Sequence, residues 1–281
     1  MEPTTTQHKP NHPAPQKKSF NKPKRFGNRR PFDRGRKPAH PPLVGDLMSE
    51  PVEKKTAHIP DVAPGVIRVI PLGGVEEIGK NMTAIEIGND IVVIDAGMYF
   101  ANENTPGIDY VIPNTRYLEE RKDKIRALII THGHLDHIGG VPLVLARIGN
   151  PPVYSRNLTV LMTQKRQAEF SHLPPMNANI VEKDQTITLG EMKVRFWGVT
   201  HTIPDSMGII IETPYGNIVT PGDYKLDQVD GVVSEAEEKE YAQFDTANNL
   251  LLMTDSTNIE NEGFSLAEIK VHQGLEAILR R

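Results

Sequence analysis

Thr131-His132-Gly133-His134-Leu135-Asp136-His137-Ile138-Gly139-Gly140 follows directly on Ala127–Ile130, an apolar run that reads as a buried strand. Three of the ten His in the chain, and an Asp with them, fall within six residues of this stretch. Side chains alternate along an extended backbone, so His132 and His134 face the same way and can share one metal ion. Asp136 and His137 then turn toward a neighbouring second ion, at the start of the helix that Ile138 begins. Gly133 and Gly139-Gly140 permit the tight backbone this requires. Imidazole together with carboxylate suits Zn2+, or Mn2+ where carboxylates dominate. Two ligands per ion are too few, so others must come from elsewhere in the chain. His201 follows the strand-like run Val194–Val199 and can complete a three-His site. Asp223 follows Asn217–Thr220, and its carboxylate can bridge two cations.

Outward from the motif the texture is α/β. Val66–Pro71 is a short β-branched run, and Met82–Ile87 and Ile91–Asp95 flank Gly88-Asn89-Asp90, a hairpin signal. Tyr117–Lys124, Ile138–Ile148 and Leu158–Phe170 read as helices. Val194–Val199, Gly208–Glu212 and Asn217–Thr220 read as strands, and Leu250–Met253 as another, buried one. Strands dominate and helices intervene, which predicts two packed sheets with helices outside. Ser265-Leu266-Ala267-Glu268 is a capping box opening a helix that runs to Arg281.

Composition narrows the class. Among 281 residues there is no Cys, which excludes a disulfide scaffold, a thiolate metal site and a cysteine nucleophile. No run of roughly 18 apolar residues appears, and no apolar core of a signal peptide, so a cytoplasmic protein with no membrane partner is expected. The net charge of −4 hides a division. Within residues 1–44, eleven Lys and Arg stand against Glu2 and Asp33, giving +9, and the remaining 21 basic and 34 acidic residues give −13. The basic residues are Lys9, Lys17, Lys18, Lys22, Lys24, Arg25, Arg29, Arg30, Arg34, Arg36 and Lys37, and Phe20, Phe26 and Phe32 recur among them. Nine of the 23 Pro lie there too. Such a segment cannot bury enough apolar surface to offset its ordering entropy, so residues 1–63 are expected to be a disordered basic tail and linker. Its cations suit phosphates and its rings suit unpaired bases, which makes RNA the expected partner.

The motif also carries a resemblance. His-x-His-x-Asp-His after a strand is the signature of the metallo-β-lactamase superfamily, and Asp95, His201 and Asp223 stand at its other landmarks. Four flanking strings resemble the ribonuclease J family of β-CASP ribonucleases. They are Pro71-Leu72-Gly73-Gly74-Val75-Glu76-Glu77-Ile78-Gly79-Lys80-Asn81, His201-Thr202-Ile203-Pro204-Asp205-Ser206, Gly222-Asp223-Tyr224-Lys225-Leu226-Asp227 and Asp255-Ser256-Thr257-Asn258. Leu135 stands where many members of the superfamily carry Glu. The resemblance implies an αββα sandwich over residues 64–240, incomplete in this chain and preceded by the disordered basic tail. Residues 241–281 would form the last strand of that domain and the start of a β-CASP region, with the remainder of the enzyme missing.

Carried over residue by residue, the resemblance implies that His132, His134 and His201 hold the first metal and Asp136 and His137 the second. Asp223 bridges them, and Asp136, His137 and Asp223 are the catalytic set. Asp95 supports the ligand loop from behind, and Asp205 and Ser206 support His201. The cofactors are two Zn2+ ions, or Mn2+ in their place. Cations about 3.5–4 Å apart can activate a shared hydroxide for attack on a phosphodiester. The implied activity is hydrolysis of RNA, as a 5′-3′ exonuclease, an endonuclease or both, in RNA decay and rRNA maturation, by a protein that is homo-oligomeric at full length. Two alternatives stand beside it: a non-catalytic RNA-binding fragment acting through its basic tail, and a small-molecule hydrolase of the same superfamily.

Overall fold

The computed structural model describes residues 59–100, 106–245 and 248–280. The expected RNA-binding tail, Lys17, Lys18, Phe20, Lys22, Lys24, Arg25, Phe26, Arg29, Arg30, Phe32, Arg34, Arg36 and Lys37, lies outside the described residues. Residues 59–63, expected to be linker, are held against the body. Arg121 donates to the Ile59 carbonyl at 2.6 Å, Lys124 pairs with Asp61 at 2.7 Å, and Val62 is buried.

Alternating apolar runs build the first sheet. Its strands are β1 (Ile67–Gly73), β2 (Met82–Ile87), β3 (Asp90–Ile94), β6 (Ile125–Ile129), β7 (Val153–Ser155) and β8 (Ala178–Ile180), adjacent in that order. The first three are antiparallel neighbours, and β3, β6, β7 and β8 run parallel. Between them lie a short ribbon, β4 (Tyr99–Phe100) with β5 (Tyr110–Val111), and helices α1 (Arg116–Glu119), α2 (Leu135–Ile138), α3 (Val141–Ile148) and α4 (Asn157–Ala168). The second sheet orders β15 (Asn249–Leu252), β12 (Gly216–Thr220), β11 (Met207–Thr213), β10 (Met192–Gly198) and β9 (Thr186–Leu189). The hairpin β13 (Gln228–Val229)–β14 (Val232–Val233) leads to α5 (Glu235–Ala242), and α6 (Glu268–Leu279) follows β15.

The period-2 alternation of each strand sorts its side chains into layers. Ile91 and Val93 of β3 face a cluster with Leu118, Val144, Leu145 and Ile148 of the α1 and α3 region. Val92 and Ile94 face the other way, into a cluster with Val194, Phe196, Ile209, Ile211 and Ile218 of the second sheet. On the far side of that sheet Trp197, Ile210 and Val219 pack with Phe244, just beyond α5. The architecture is therefore the αββα sandwich of the metallo-β-lactamase fold.

Four local readings need correction. The helix expected over Tyr117–Lys124 is the single turn α1 and a separate 3-10 turn at Lys122–Lys124. The helix expected over Ile138–Ile148 is two helices, α2 and α3, broken at Gly139-Gly140. Leu250–Met253 is a strand, but β15 is exposed along its whole length because it lies at the sheet edge, parallel to β12. Ser265 forms no capping box. Its carbonyl accepts from Gln228, and the Glu268 amide at the start of α6 donates instead to Asp227 at 3.0 Å. A distant carboxylate has taken the place of the local cap.

Candidate metal centre

Parallel strands β3 and β6 bring Asp95 and Thr131 side by side at their carboxyl ends, the usual place for a site in an α/β sheet. Asp95 is buried and has a positive φ of 60°, which turns the chain sharply off β3. Its Oδ1 accepts from the Thr131 amide at 2.8 Å, and its Oδ2 from the Thr131 hydroxyl at 2.9 Å. The same Oδ2 lies 2.8 Å from His137 Nδ1. That partner anchors Nδ1 and turns Nε2 toward the centre.

The ligand loop is fastened by its main chain as well. The Asn81 amide donates to the Asp136 carbonyl at 3.0 Å, Gly97 to Asn81 at 2.9 Å, Ala96 to His137 at 2.9 Å and Gly140 to Ala96 at 2.9 Å. A Cβ on Gly97 would lie 1.5 Å from the Asp136 carbonyl oxygen, so only glycine permits this approach.

Six side chains converge. His132 Nε2 lies 3.0 Å from His134 Nδ1, which lies 3.2 Å from His201 Nε2. His137 Nε2 lies 3.4 Å from both Asp136 Oδ2 and Asp223 Oδ1. The other oxygen of Asp223, Oδ2, is 4.0 Å from the Nε2 atoms of His132 and His201. Two overlapping donor groups result, His132–His134–His201 and His132–His137–Asp223, each with its ligand atoms within 4.8 Å of one another. His132 belongs to both, whereas the sequence alone placed it only in the first. Asp223 presents one oxygen to each side.

Charge follows from this crowding. Burial alone would lower the pKa of His137, but Asp95, Asp136 and Asp223 outweigh it and raise the pKa well above the ordinary range. Burial pushes Asp136 and Asp223 upward, and the hydrogen bonds with His137 overcome it, leaving both below the usual carboxylate range. His132 is pushed down by burial and then by His137, and His201 is lowered chiefly by burial. These last two are thus neutral imidazoles near pH 7, the form that binds metal. The donor set, four imidazoles and two carboxylates with no thiolate, fits divalent ions of the Zn2+ or Mn2+ kind.

Asp205 and Ser206 make their bonds away from His201. Asp205 accepts from the Leu158 amide at the start of α4 at 2.9 Å and lies 3.5 Å from Arg156, and Ser206 donates to the Ile203 carbonyl at 2.9 Å. Two residues with clear contacts to the ligands carry no ligand-type side chain and so gave no signal. Thr131 joins Asp95 to the loop, and Asn81 Nδ2 lies 3.1 Å from His137 Nε2 and 3.3 Å from Asp136 Oδ2. Asp136, His137 and Asp223 line a cavity of about 420 Å³, whose rim is the loop Gly73–Gly79 on one side and Met253–Thr257 on the other.

Comparison with known proteins places these features. Residues 76–255 match the metallo-beta-lactamase superfamily model. The chain is 38% identical over 223 residues to ribonuclease J of Thermus thermophilus, covering 76% of this chain and 39% of that one. It is 38% identical over 205 residues to ribonuclease J2 of Bacillus subtilis, covering 73% and 37%. The chain therefore spans less than two fifths of the length of these relatives. A solved structure of a protein of unknown function from Enterococcus faecalis V583 shares the fold, with a TM-score of 0.53 and 19% identity over 71% of this chain and 52% of that one. Motif, fold and family model agree: the chain belongs to the metallo-β-lactamase superfamily.

Proposed function

We propose that this chain carries the metal centre of a ribonuclease of the ribonuclease J type, hydrolysing RNA phosphodiesters with two divalent ions, Zn2+ or Mn2+. The observation that carries the reading is Asp223, which lines one open cavity and presents one carboxylate oxygen to each of the two donor groups. The identity to ribonuclease J of Thermus thermophilus favours RNA over a small-molecule substrate.

In this reading His132, His134 and His201 hold one ion, and Asp136, His137 and Asp223 hold the other. Such ions supply Lewis acidity and a water-derived nucleophile near neutral pH. The protein's own contribution is to aim the ligands and to keep His132 and His201 neutral and Asp136 and Asp223 ionised. Asp95 holds the Nδ1 proton of His137, Thr131 ties that carboxylate to the ligand loop, and burial keeps His132 and His201 neutral. A cavity of about 420 Å³ lies within the ~300–1,000 Å³ range typical of ligand sites and leaves room for a nucleotide at the centre. The acidic body repels a polyanion, and the basic residues 1–44 supply salt-dependent, sequence-blind attraction. Exonucleolytic and endonucleolytic cutting, RNA decay and rRNA maturation, and a cytoplasmic setting belong to the same reading.

The test is cleavage of a 3′-labelled, 5′-monophosphorylated single-stranded RNA by the purified chain, with Mn2+ or Zn2+ and with EDTA. Cleavage that requires metal and disappears in H134A is the expected result. An H134A protein as fast as its parent would overturn the reading. RNA binding without cleavage, lost on deleting residues 1–44, would instead establish the non-catalytic RNA-binding alternative.

A further inference from the structure

Asn81 closes the loop between β1 and β2, and its main chain is stitched on both sides. Its amide donates to the Asp136 carbonyl and its carbonyl accepts from Gly97. Those bonds need only a backbone. The side chain does something else: the carboxamide enters the second donor group, with Nδ2 3.3 Å from Asp136 Oδ2 and 3.1 Å from His137 Nε2. Asp136 Oδ2 and His137 Nε2 are themselves 3.4 Å apart. An amide N–H directed at a carboxylate oxygen limits the swing of that carboxylate about its last torsion. The Asp136 side chain is about one-third exposed, so this amide adds a restraint beyond His137 against turning toward solvent.

We propose that Asn81 is a positioning residue for the second ion: its carboxamide holds the Asp136 carboxylate beside His137 Nε2, and so sets affinity at Asp136–His137–Asp223 but not at His132–His134–His201. The inference rests on the two-ion reading above. Partners of metal ligands at this distance typically change affinity by ~10–100-fold when removed.

Calorimetric titration of the metal-free 281-residue chain with Zn2+ and with Mn2+ tests it, using the parent, N81A and N81D. Both variants keep the main-chain bonds. In N81A the first ion is expected to bind within about twofold of the parent and the second at least about tenfold more weakly. In N81D a further carboxylate stands against Asp136, so metal is expected to raise the thermal midpoint by more than it does in the parent. A parent that binds two ions, with N81A matching it at both, overturns this proposal alone. A metal-induced rise in N81D no larger than the parent's also overturns it, including where N81A fails to fold. A parent that takes up only one ion overturns the two-ion reading, and this proposal with it.

Discussion

Gly97→Ala is the most exacting perturbation the structure offers. The added methyl would stand 1.5 Å from the Asp136 carbonyl oxygen and 2.8 Å from the Asn81 amide nitrogen, where ordinary carbon–oxygen contact needs more than 3 Å. The two segments must part by about 1.5–2 Å. Overpacking costs about 1–3 kcal/mol. The main-chain bonds from Asn81 to Asp136 and from Gly97 to Asn81 lie within the disturbed contact, and losing them adds about 1 kcal/mol each. The expected destabilisation is about 3–5 kcal/mol, a fall in thermal midpoint of about 6–20 °C for a body of this size. Asp136 and His137 move together with that carbonyl, so the second ion is lost with it, while His201 and Asp223, carried on other strands, stay in place. Differential scanning calorimetry with and without Zn2+ measures both effects. The matched control is Gly274→Ala in α6, where a Cβ meets nothing within 4 Å and helix propensity favours Ala by about 1 kcal/mol. A G97A protein with the parental midpoint and parental metal uptake would refute the reasoning.

Two further outcomes follow from the buried carboxylate and its neighbours. Asp95→Asn keeps an oxygen for the Thr131 amide but can place a donor against His137 Nδ1, which shifts the imidazole proton to Nε2. The expectation is second-ion binding at least about tenfold weaker, with about 1.5–3 kcal/mol of metal-free stability lost, measured by titration and denaturant melts. The two donor groups should also part with their ions at different pH. His137 has a pKa raised, against burial, by Asp95, Asp136 and Asp223, so an ion there competes with a proton more strongly than at an ordinary imidazole and weakens as pH falls. His201 has a lowered pKa, as does His132, and the first ion should persist below the ordinary imidazole value of about 6.5. Metal content measured after dialysis across pH 5–8 checks this, and simultaneous release of both ions would contradict it.

The candidate ligands stand out in the sequence because metal chemistry restricts the residue types, and the strand-to-loop spacing restricts where they point. His132, His134 and His201 come together in one donor group and His132, His137 and Asp223 in another, with Asp136 beside His137. Asp95 and Thr131 meet only because β3 and β6 are parallel neighbours, a pairing that no local pattern encodes. Asn81 and Gly97 act through a close approach of main chains far apart in sequence, and neither has a side chain that advertises it. The capping box at Ser265 failed for the converse reason. The local pattern was sound, but Asp227 reaches the Glu268 amide from 41 residues away and replaces it. Burial of Leu250–Met253 was misjudged because an apolar run looks the same at the centre of a sheet and at its edge.

That edge has a practical consequence for handling the protein. Asn249-Leu250-Leu251-Leu252 pairs with β12 on one side, and among the described residues no strand pairs with the other. Leu250 and Leu252 are 51% and 62% exposed, and the strand contains neither Pro nor charge to repel a newcomer. An open ladder of this kind is a template for a foreign strand, so this chain at high concentration or high salt is prone to edge-to-edge self-association. A single Lys at position 250 would place a gatekeeper on that strand.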